Sequence, residues 1–458
     1  MREDGIKIRP FEIVSILDYK GIQQMNEHGQ VRLSARIRSD KRDEYIQEAV
    51  KETWVEILGY DENGNEKNIF CGILAEAYVS SGLDGCVMDL LIYTGSRLMD
   101  YKKHKRSFQN PGYTYRQIAQ CCNESYPNAG MIMTAGKDTS VPGFLMQYLE
   151  TDWVFLKRLA STLHTVLVPS CEVPGEKYFF GIPEKRSEGS LDTENYMAIQ
   201  EEKRGETNEN SGYSACYKVG SRELYSLGDN MSFKGDIYYI WRMETELKAN
   251  ELWHTYYLKK KERIWVSQTH QKEIIGLSLI GKVKAVEGEQ VQLSLEDDEN
   301  QQSGNRWFAF STVYSSPDGA GWYCMPEIGD TARLYFPTEE DGDAYVSSAF
   351  HENAGGGLRT EPSNKIWRNK EGKEIRLTPD KILITNNKGM SVELSDQQGI
   401  KIKSNASVTV EASDDISISS SGAGLELAAS NKILLRQGSN TMELSDGIKI
   451  SGSTVKMQ

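Results

Sequence analysis

Paired apolar residues recur along roughly the last ninety positions, with polar and small residues between them. The pairs are Ile375/Leu377, Ile382/Ile384, Val392/Leu394, Ile400/Ile402, Val408/Val410, Ile416/Ile418, Leu425/Leu427, Ile433/Leu435, Met442/Leu444, Ile448/Ile450 and Val455/Met457, and from 392 to 416 the step is eight each time. Residues i and i+2 share one face of a strand, and the intervening Asn, Asp, Ser and Gly supply turns. The pattern therefore predicts a strand–turn repeat with one wet face and one apolar face. It repeats in sequence as well, since Met390-Ser-Val-Glu-Leu-Ser-Asp-Gln-Gln-Gly-Ile-Lys-Ile402 is echoed by Thr441-Met-Glu-Leu-Ser-Asp-Gly-Ile-Lys-Ile450. Such a unit cannot bury its apolar face alone. Either the chain coils on itself or several chains wrap together.

Upstream the pattern is different. Residues 10 to 95 read as strands, most clearly Val31–Ile37 and Cys86–Tyr93, with a hairpin turn at Asp61–Asn65. Two helices follow. One starts at Thr114, where Gln117 completes a capping-box pattern, and ends before Pro127. The other starts at Thr151/Asp152, carries the apolar stripe Phe155, Leu156, Leu159, Ala160 and Leu163, and ends before Pro169. Residues 176 to 270 return to strands, with a charged loop at Glu201–Asn210 and a basic strand edge at Lys259–Arg263. From Gly276 to Phe350 five or so short strands, opening with a hairpin turned at Glu287-Gly288, predict a small Greek-key barrel such as an OB-fold. Asn353 to Asn364, with Gly355–Gly357, reads as a linker into the repeat.

Composition sharpens the reading of the repeat. After Trp367 there is no Phe, Trp, Tyr, Cys or His. Ile, Val and Leu pairs alone fill only a narrow interior, whereas a wide core needs bulkier residues. The expectation is a slender prism of three intertwined chains; a single-chain solenoid or a sandwich are the alternatives. The chain's 458 residues exceed what one core supports. Lys+Arg of 53 against Asp+Glu of 66 gives a net charge of −13, which disfavours nucleic-acid and anionic-membrane binding. No stretch approaches the roughly 20 apolar residues of a membrane span. Met1-Arg-Glu-Asp-Gly-Ile lacks the apolar region of a secretory signal, so synthesis in the cytoplasm is expected. The seven cysteines are odd in number with no CxxC, and read as reduced thiols.

Candidate chemistry is sparse. Glu339, Glu340, Asp341 and Asp343 surround Gly342 in an acidic run that reads as a solvated turn rather than a glycosidase or calcium site. The six histidines are dispersed, none in HExxH or HxH. No G-x-S-x-G elbow or phosphate-binding glycine loop is present. No catalytic residue, metal ligand or cofactor is expected.

Three segments carry a resemblance. Asn26-Glu27-His28-Gly29 precedes a strand. Gln147-Tyr148-Leu-Glu150-Thr151-Asp152-Trp153-Val-Phe155-Leu-Lys-Arg158-Leu159-Ala160 forms a helix entry. Trp322-Tyr-Cys-Met-Pro-Glu-Ile-Gly-Asp330 is followed by Val346-Ser-Ser-Ala-Phe350. Together, and in this order, they resemble the VgrG-type spike proteins of contractile injection systems and contractile phage tails. The 147–160 segment is the most specific. The resemblance implies a mainly β, multidomain chain: a tail-tube-like β-barrel hub with inserted helices over 1–270, an OB-fold barrel over 271–352, a linker over 353–364 and an intertwined trimeric β-helix needle over 365–458. The needle core would be Val392, Leu394, Ile400, Ile402, Val408, Val410, Ile416, Ile418, Leu425, Leu427, Ile433 and Leu435.

The implied function is that of a non-enzymatic, homotrimeric central spike, linking tube and baseplate proteins at the hub end to a needle that punctures the target envelope. Its opening residues lack the start typical of type VI spikes, which favours a phage-tail-like or extracellular injection particle. A type VI spike, a wall-degrading tail enzyme and a receptor-binding tail protein are the alternatives. Some relatives insert a hydrolase between barrel and needle, but Phe350 to Trp367 leaves no room for a domain. Others clamp a metal at the tip with histidines, but no His follows 351. A PAAR-repeat tip protein is the expected partner at the far end.

Overall fold

The computed structural model describes residues 6–60, 66–82, 85–185, 191–203, 212–351, 359–454 and 456. The chain divides into two compact units, Met1–Glu352 and Asn353–Gln458. The turn expected at 61–65, most of the loop at 201–210, most of the linker and the Val455/Met457 pair lie outside the described residues.

The first unit is built on an eleven-stranded sheet. Its N-terminal half runs in the order Lys7–Arg9, Trp54–Tyr60, Glu66–Gly82, Gly85–Tyr93, Glu27–Ile37, Ile13–Gln24, and then joins a second half through the strand Asp236–Lys248. The seam pairs Arg242 with Gln24 and Glu246 with Lys20. Strand residues alternate as their period demands: in Glu27–Ile37 the side chains of Val31, Leu33, Ala35 and Ile37 are buried while Arg32 and Arg36 face solvent. The two halves bury separate cores, one containing Phe11, Tyr19, Phe70 and Met88, the other Phe233, Ile240, Tyr256 and Leu258.

Both expected helices form. Tyr115–Asn123 opens with a complete Thr114/Gln117 capping box, and Asp152–Ser161 is capped by Thr151, whose hydroxyl accepts from the Val154 N–H. The second ends sooner than the apolar stripe implied, so Leu163 lies in the following turn and Leu167–Pro169 is a strand. Their apolar faces share a third core with Phe108, Trp153, Phe155 and Phe180. One helix was not legible, Arg42–Ala49. It is polar nearly all round and buries only Tyr45, so it has no stripe to read. Tyr45 anchors it by packing edge-to-face on Phe11 at 5.3 Å and by accepting from the Glu12 N–H at 2.9 Å. A second correction concerns Glu201–Lys203, which end the strand Tyr196–Lys203 rather than lie in a loop.

A closed barrel completes this unit. Its strands Ser278–Glu287, Gln290–Leu295, Phe308–Ser311, Thr331–Tyr335 and Tyr345–Phe350 close in the order first, second, third, fifth, fourth, with the third and fifth parallel. Phe144 and Met146, from the segment leading into the Asp152 helix, enter the barrel core beside Phe308, Leu334 and Phe336.

In the second unit, Lys365–Arg368, Glu374–Leu377, Lys381–Thr385, Ser391–Ser395 and Gly399–Lys403 form an antiparallel meander, and Ile433–Gln437, Asn440–Leu444 and Ile448–Ser451 form another. Between them, residues 404–432 carry no strand. That corrects the expectation that every apolar pair sits on a strand: Val408/Val410, Ile416/Ile418 and Leu425/Leu427 do not. A strand is held by its neighbour's N–H and C=O groups, and for this stretch the chain itself supplies no neighbouring strand among the described residues.

Candidate functional site

The register of the meanders turns isolated pairs into a surface. Ile382 faces Leu377 on one side and Leu394 on the other; Ile384 faces Ile375 and Val392; Val392 and Leu394 face Ile402 and Ile400. Further along, Leu435 faces Met442, which faces Ile450. Directly opposed residues share a face, so each meander presents one continuous apolar side. The other side is more polar, with Glu393 opposite Lys401 and within 3.4 Å of Lys381, though Leu383 and Leu434 also lie on it. The apolar side is not covered by its own chain: Ile400 is 73% exposed, and the six pair residues from Val408 to Leu427 lie between 53% and 73%. Soluble monomers rarely expose apolar patches of more than a few hundred Å².

The family-motif residues stand elsewhere, inside the first unit, and meet across more than a hundred positions. His28 sets its Nδ1 2.9 Å from the Ser96 hydroxyl and its Nε2 3.4 Å from Asp100, and its ring lies 4.9 Å from that of Trp153. Thr151 donates to the other Asp100 oxygen at 2.5 Å, and Glu27 pairs with Lys157 at 3.1 Å. Burial would raise the Asp100 carboxyl, but the hydrogen bonds from His28 and Thr151 outweigh it and hold the carboxyl low. Gly29, within the strand Glu27–Ile37, lies where a Cβ would meet the Thr94 methyl at 2.9 Å, so a larger residue after His28 would have to push Thr94 aside. Ser96, His28 and Asp100 follow the order of a hydrolytic triad, but Ser96 is fully buried and its hydroxyl also contacts Thr94 at 3.0 Å. No substrate reaches it; the cluster clamps the strand Glu27–Ile37 to the helix Asp152–Ser161.

Arg158 and Asp152 are the centres of two buried ion networks. Arg158 binds Glu150 through Nε and Nη2 at 3.0 and 2.8 Å, the Met146 carbonyl at 2.8 Å and Asp341 at 2.8 Å. Two carboxylates share one guanidinium. Burial pushes the carboxyls of Glu150 and Asp341 up despite Arg158, while the two acids hold the guanidinium above its ordinary range against its own burial. Asp152, fully buried, accepts from Arg106 at 2.5 Å, Gln147 at 3.0 Å and Tyr126 at 3.0 Å. His104 stands 3.3 Å from it and binds Glu299 at 2.6 Å. Of the motif residues, Phe155 and Leu159 are core, and Tyr148 packs against the barrel core.

Asp341 is therefore a correction: it does not belong to a solvated turn. It is buried, and it also accepts from the Met146 N–H at 3.1 Å. Arg106, His104 and Glu299 were also missed. They stand in charged runs, Lys102–Arg106 and Glu296–Glu299, that read as solvent-facing, and their partners are up to 195 positions away. No group of His, Cys, Asp and Glu suited to a metal exists among the described residues. No helix among them is long and apolar enough to cross a membrane.

No family model and no curated protein matches the chain. Solved structures do. A type VI secretion component of Escherichia coli, described as structurally similar to the phage T4 tail proteins gp27 and gp5, aligns with a TM-score of 0.52 at 12% identity, over 76% of this chain and 99% of that one. A chain of the Francisella PdpA–VgrG complex aligns with a TM-score of 0.55 at 10% identity, over 87% of this chain and 88% of that one. The lidded form of that complex gives 0.56 at 9% identity, over 87% and 80%. At these identities the likeness establishes a fold shared with these chains, mainly β and multidomain.

Proposed function

We propose that this protein is the central spike of a contractile injection particle, a homotrimer without catalytic activity of its own. The observation that carries the reading is the apolar side of residues 365–451, exposed in the single chain and too narrow to close on itself. Three copies placed with these sides inward bury them around one axis. The meander at 365–403, already paired within its own chain, would form one wall of a prism per copy. The stretch 404–432 finds no strand in its own chain among the described residues, so here the three copies would interweave. Interwoven chains leave few free sheet edges, and their unfolding is slow, which suits a device that must pierce an envelope without fraying.

The first unit takes the place of hub and neck. Its sheet, with the helices Tyr115–Asn123 and Asp152–Ser161, is read as the tail-tube-like hub that meets tube and baseplate proteins. The closed barrel, by its strand order and its parallel third and fifth strands, is read as an OB-fold. The two ion networks weld barrel to hub so that thrust passes between them. Beyond Ile448–Ser451, whose strand is paired on one side only among the described residues, a PAAR-type tip protein is the partner read from the resemblance.

Light scattering of the pure protein tests the central point. The expected mass is three times 51.6 kDa. A folded species of 51.6 kDa, with full strand content, would remove the reading.

A further inference from the structure

The basic run Lys259–Arg263 begins on a strand whose outer face is laid with cations on aromatic rings. In the second half of the large sheet, Tyr196–Lys203, Gly212–Ser221, Glu251–Lys259, Asp236–Lys248 and Ile13–Gln24 are neighbours. Their register sets Met197 opposite Lys218, Lys218 opposite Tyr257, Tyr257 opposite Arg242 and Arg242 opposite Gln24. Directly opposed residues share a face, so these five form one continuous row. The adjacent Val219, Tyr256, Leu258 and Met243 turn the other way, into the core. The row meets solvent: Lys218, Tyr257 and Arg242 are partly exposed, and Met197 is 59% exposed.

Rings hold the cations in place. The Lys218 ammonium lies 5.3 Å from the centre of the Tyr257 ring, and the Arg242 guanidinium 5.2 Å from it. Beside them the Lys259 ammonium lies 3.9 Å from the centre of the Trp241 ring, which is 6.4 Å from that of Tyr257. Trp241 is fixed in turn by its indole N–H, which donates to the Cys216 sulfur at 3.4 Å. One acid faces the group: Glu244 accepts from Arg242 at 2.5 Å and from the Tyr257 hydroxyl at 3.1 Å. Three cations thus stand against a single carboxylate in a chain whose net charge is −13.

A ring attracts an ammonium through its face and takes up none of its N–H donors. Among the described residues nothing else accepts from Lys218. Its donors are unspent while its position is held, so little side-chain freedom is left to lose on binding. Each ring already carries a cation, so neither offers the bare face on which a nucleic-acid base stacks.

We infer that this row is a docking site for an acidic segment of a partner protein, its carboxylates received by Lys218, Arg242 and Lys259. Charge complementarity names the occupant. A protein whose negative charge is confined to one segment meets the row without setting a uniform polyanion against the rest of this acidic chain. The inference goes beyond the spike reading and stands apart from the number of copies that assemble.

The test titrates the full-length protein with a fluorescein-labelled polyglutamate peptide at low salt, followed by anisotropy. Binding is expected, and Lys218→Glu/Lys259→Glu should weaken it about tenfold or more. Lys20→Glu/Arg36→Glu makes the same charge change at exposed positions in the first half of the sheet and should weaken it less than about threefold. Lys218→Gln/Lys259→Gln, the milder change for folding, should still weaken binding, with strand content checked by circular dichroism in every variant. No binding of polyglutamate would overturn the inference. Equal losses in the two charge-reversal variants would overturn it as well, since net charge alone would then be at work. A single-stranded oligonucleotide that bound more tightly than polyglutamate, and was weakened by the same Lys218 and Lys259 changes, would overturn the protein partner in favour of nucleic acid.

Discussion

Arg158 Nη1 and Asp341 Oδ2 stand 2.8 Å apart, joining the helix Asp152–Ser161 to the turn before the last barrel strand across 183 positions of sequence. Both side chains are buried, and the same guanidinium also binds Glu150. Breaking an isolated buried pair costs about 3–5 kcal/mol, but here Arg158 keeps Glu150, so the loss is that of one buried charged hydrogen bond, about 1–3 kcal/mol. Asp341→Ala should therefore destabilise the first unit by about that much in urea unfolding. Glu340→Ala, two atoms of chain away in effect but on the surface beside His270 at 3.1 Å, should change it by less than about 1 kcal/mol. Equal effects would mean that Asp341 is solvated after all.

The repeat has an apolar and a more polar side, set by the register that pairs Val392 with Ile402 and Glu393 with Lys401, and the proposed trimer turns the apolar side inward. Ile402→Asp or Ile418→Asp would place three carboxylates around a dry axis, each costing several kcal/mol. Assembly should fail in light scattering. Lys401→Asp, one position from Ile402 and on the opposite side of its strand, should leave the mass unchanged. If both sides responded alike, the assigned face would be wrong.

His254 supplies an acid-sensitive element in the first unit. It is fully buried, its Nδ1 lies 2.9 Å from the Thr245 hydroxyl, and its Nε2 has no hydrogen-bond partner among the described residues. Burial pushes its pKa down from 6.5 to about 4. The unfolded chain takes up this proton below about pH 6.5, the folded chain only near 4, so the unfolded state binds more protons between the two. The stabilisation is complete above about 6.5 and is lost progressively toward 4, up to about 3 kcal/mol. His254→Gln should flatten this part of the curve. The difference in urea stability between native and variant protein, followed from pH 7 to pH 4, isolates the contribution from that of the carboxylates; a difference independent of pH would exclude it.

The strand Ile448–Ser451 ends the second meander, paired with Asn440–Leu444 on one side and with no further strand after it among the described residues. A chain shortened to end at Asp446 should no longer retain a PAAR-type protein in pull-down, while the full chain does. Retention by the shortened chain would place the tip contact elsewhere. A native particle imaged with nothing beyond this strand would remove the partner altogether.

What the sequence determined by itself were the features governed by near neighbours. The i, i+2 pairing of Ile400 and Ile402, the Thr114/Gln117 capping box and the Thr151 cap each depend on contacts within a few residues, and each was readable. The resemblance to VgrG-type spikes was readable too, because it rests on contiguous motifs, and the solved structures share that fold. Tertiary structure alone decided the rest. His104 with Glu299 and Arg158 with Asp341 are joined by folding across nearly two hundred positions, and nothing local marks a charge that will be buried. Arg42–Ala49 is helical because Tyr45 finds Phe11, not because of a periodic stripe. The Val408–Leu427 stretch has strand periodicity yet forms no strand in its own chain, since periodicity chooses a face but only a neighbouring backbone supplies the hydrogen bonds.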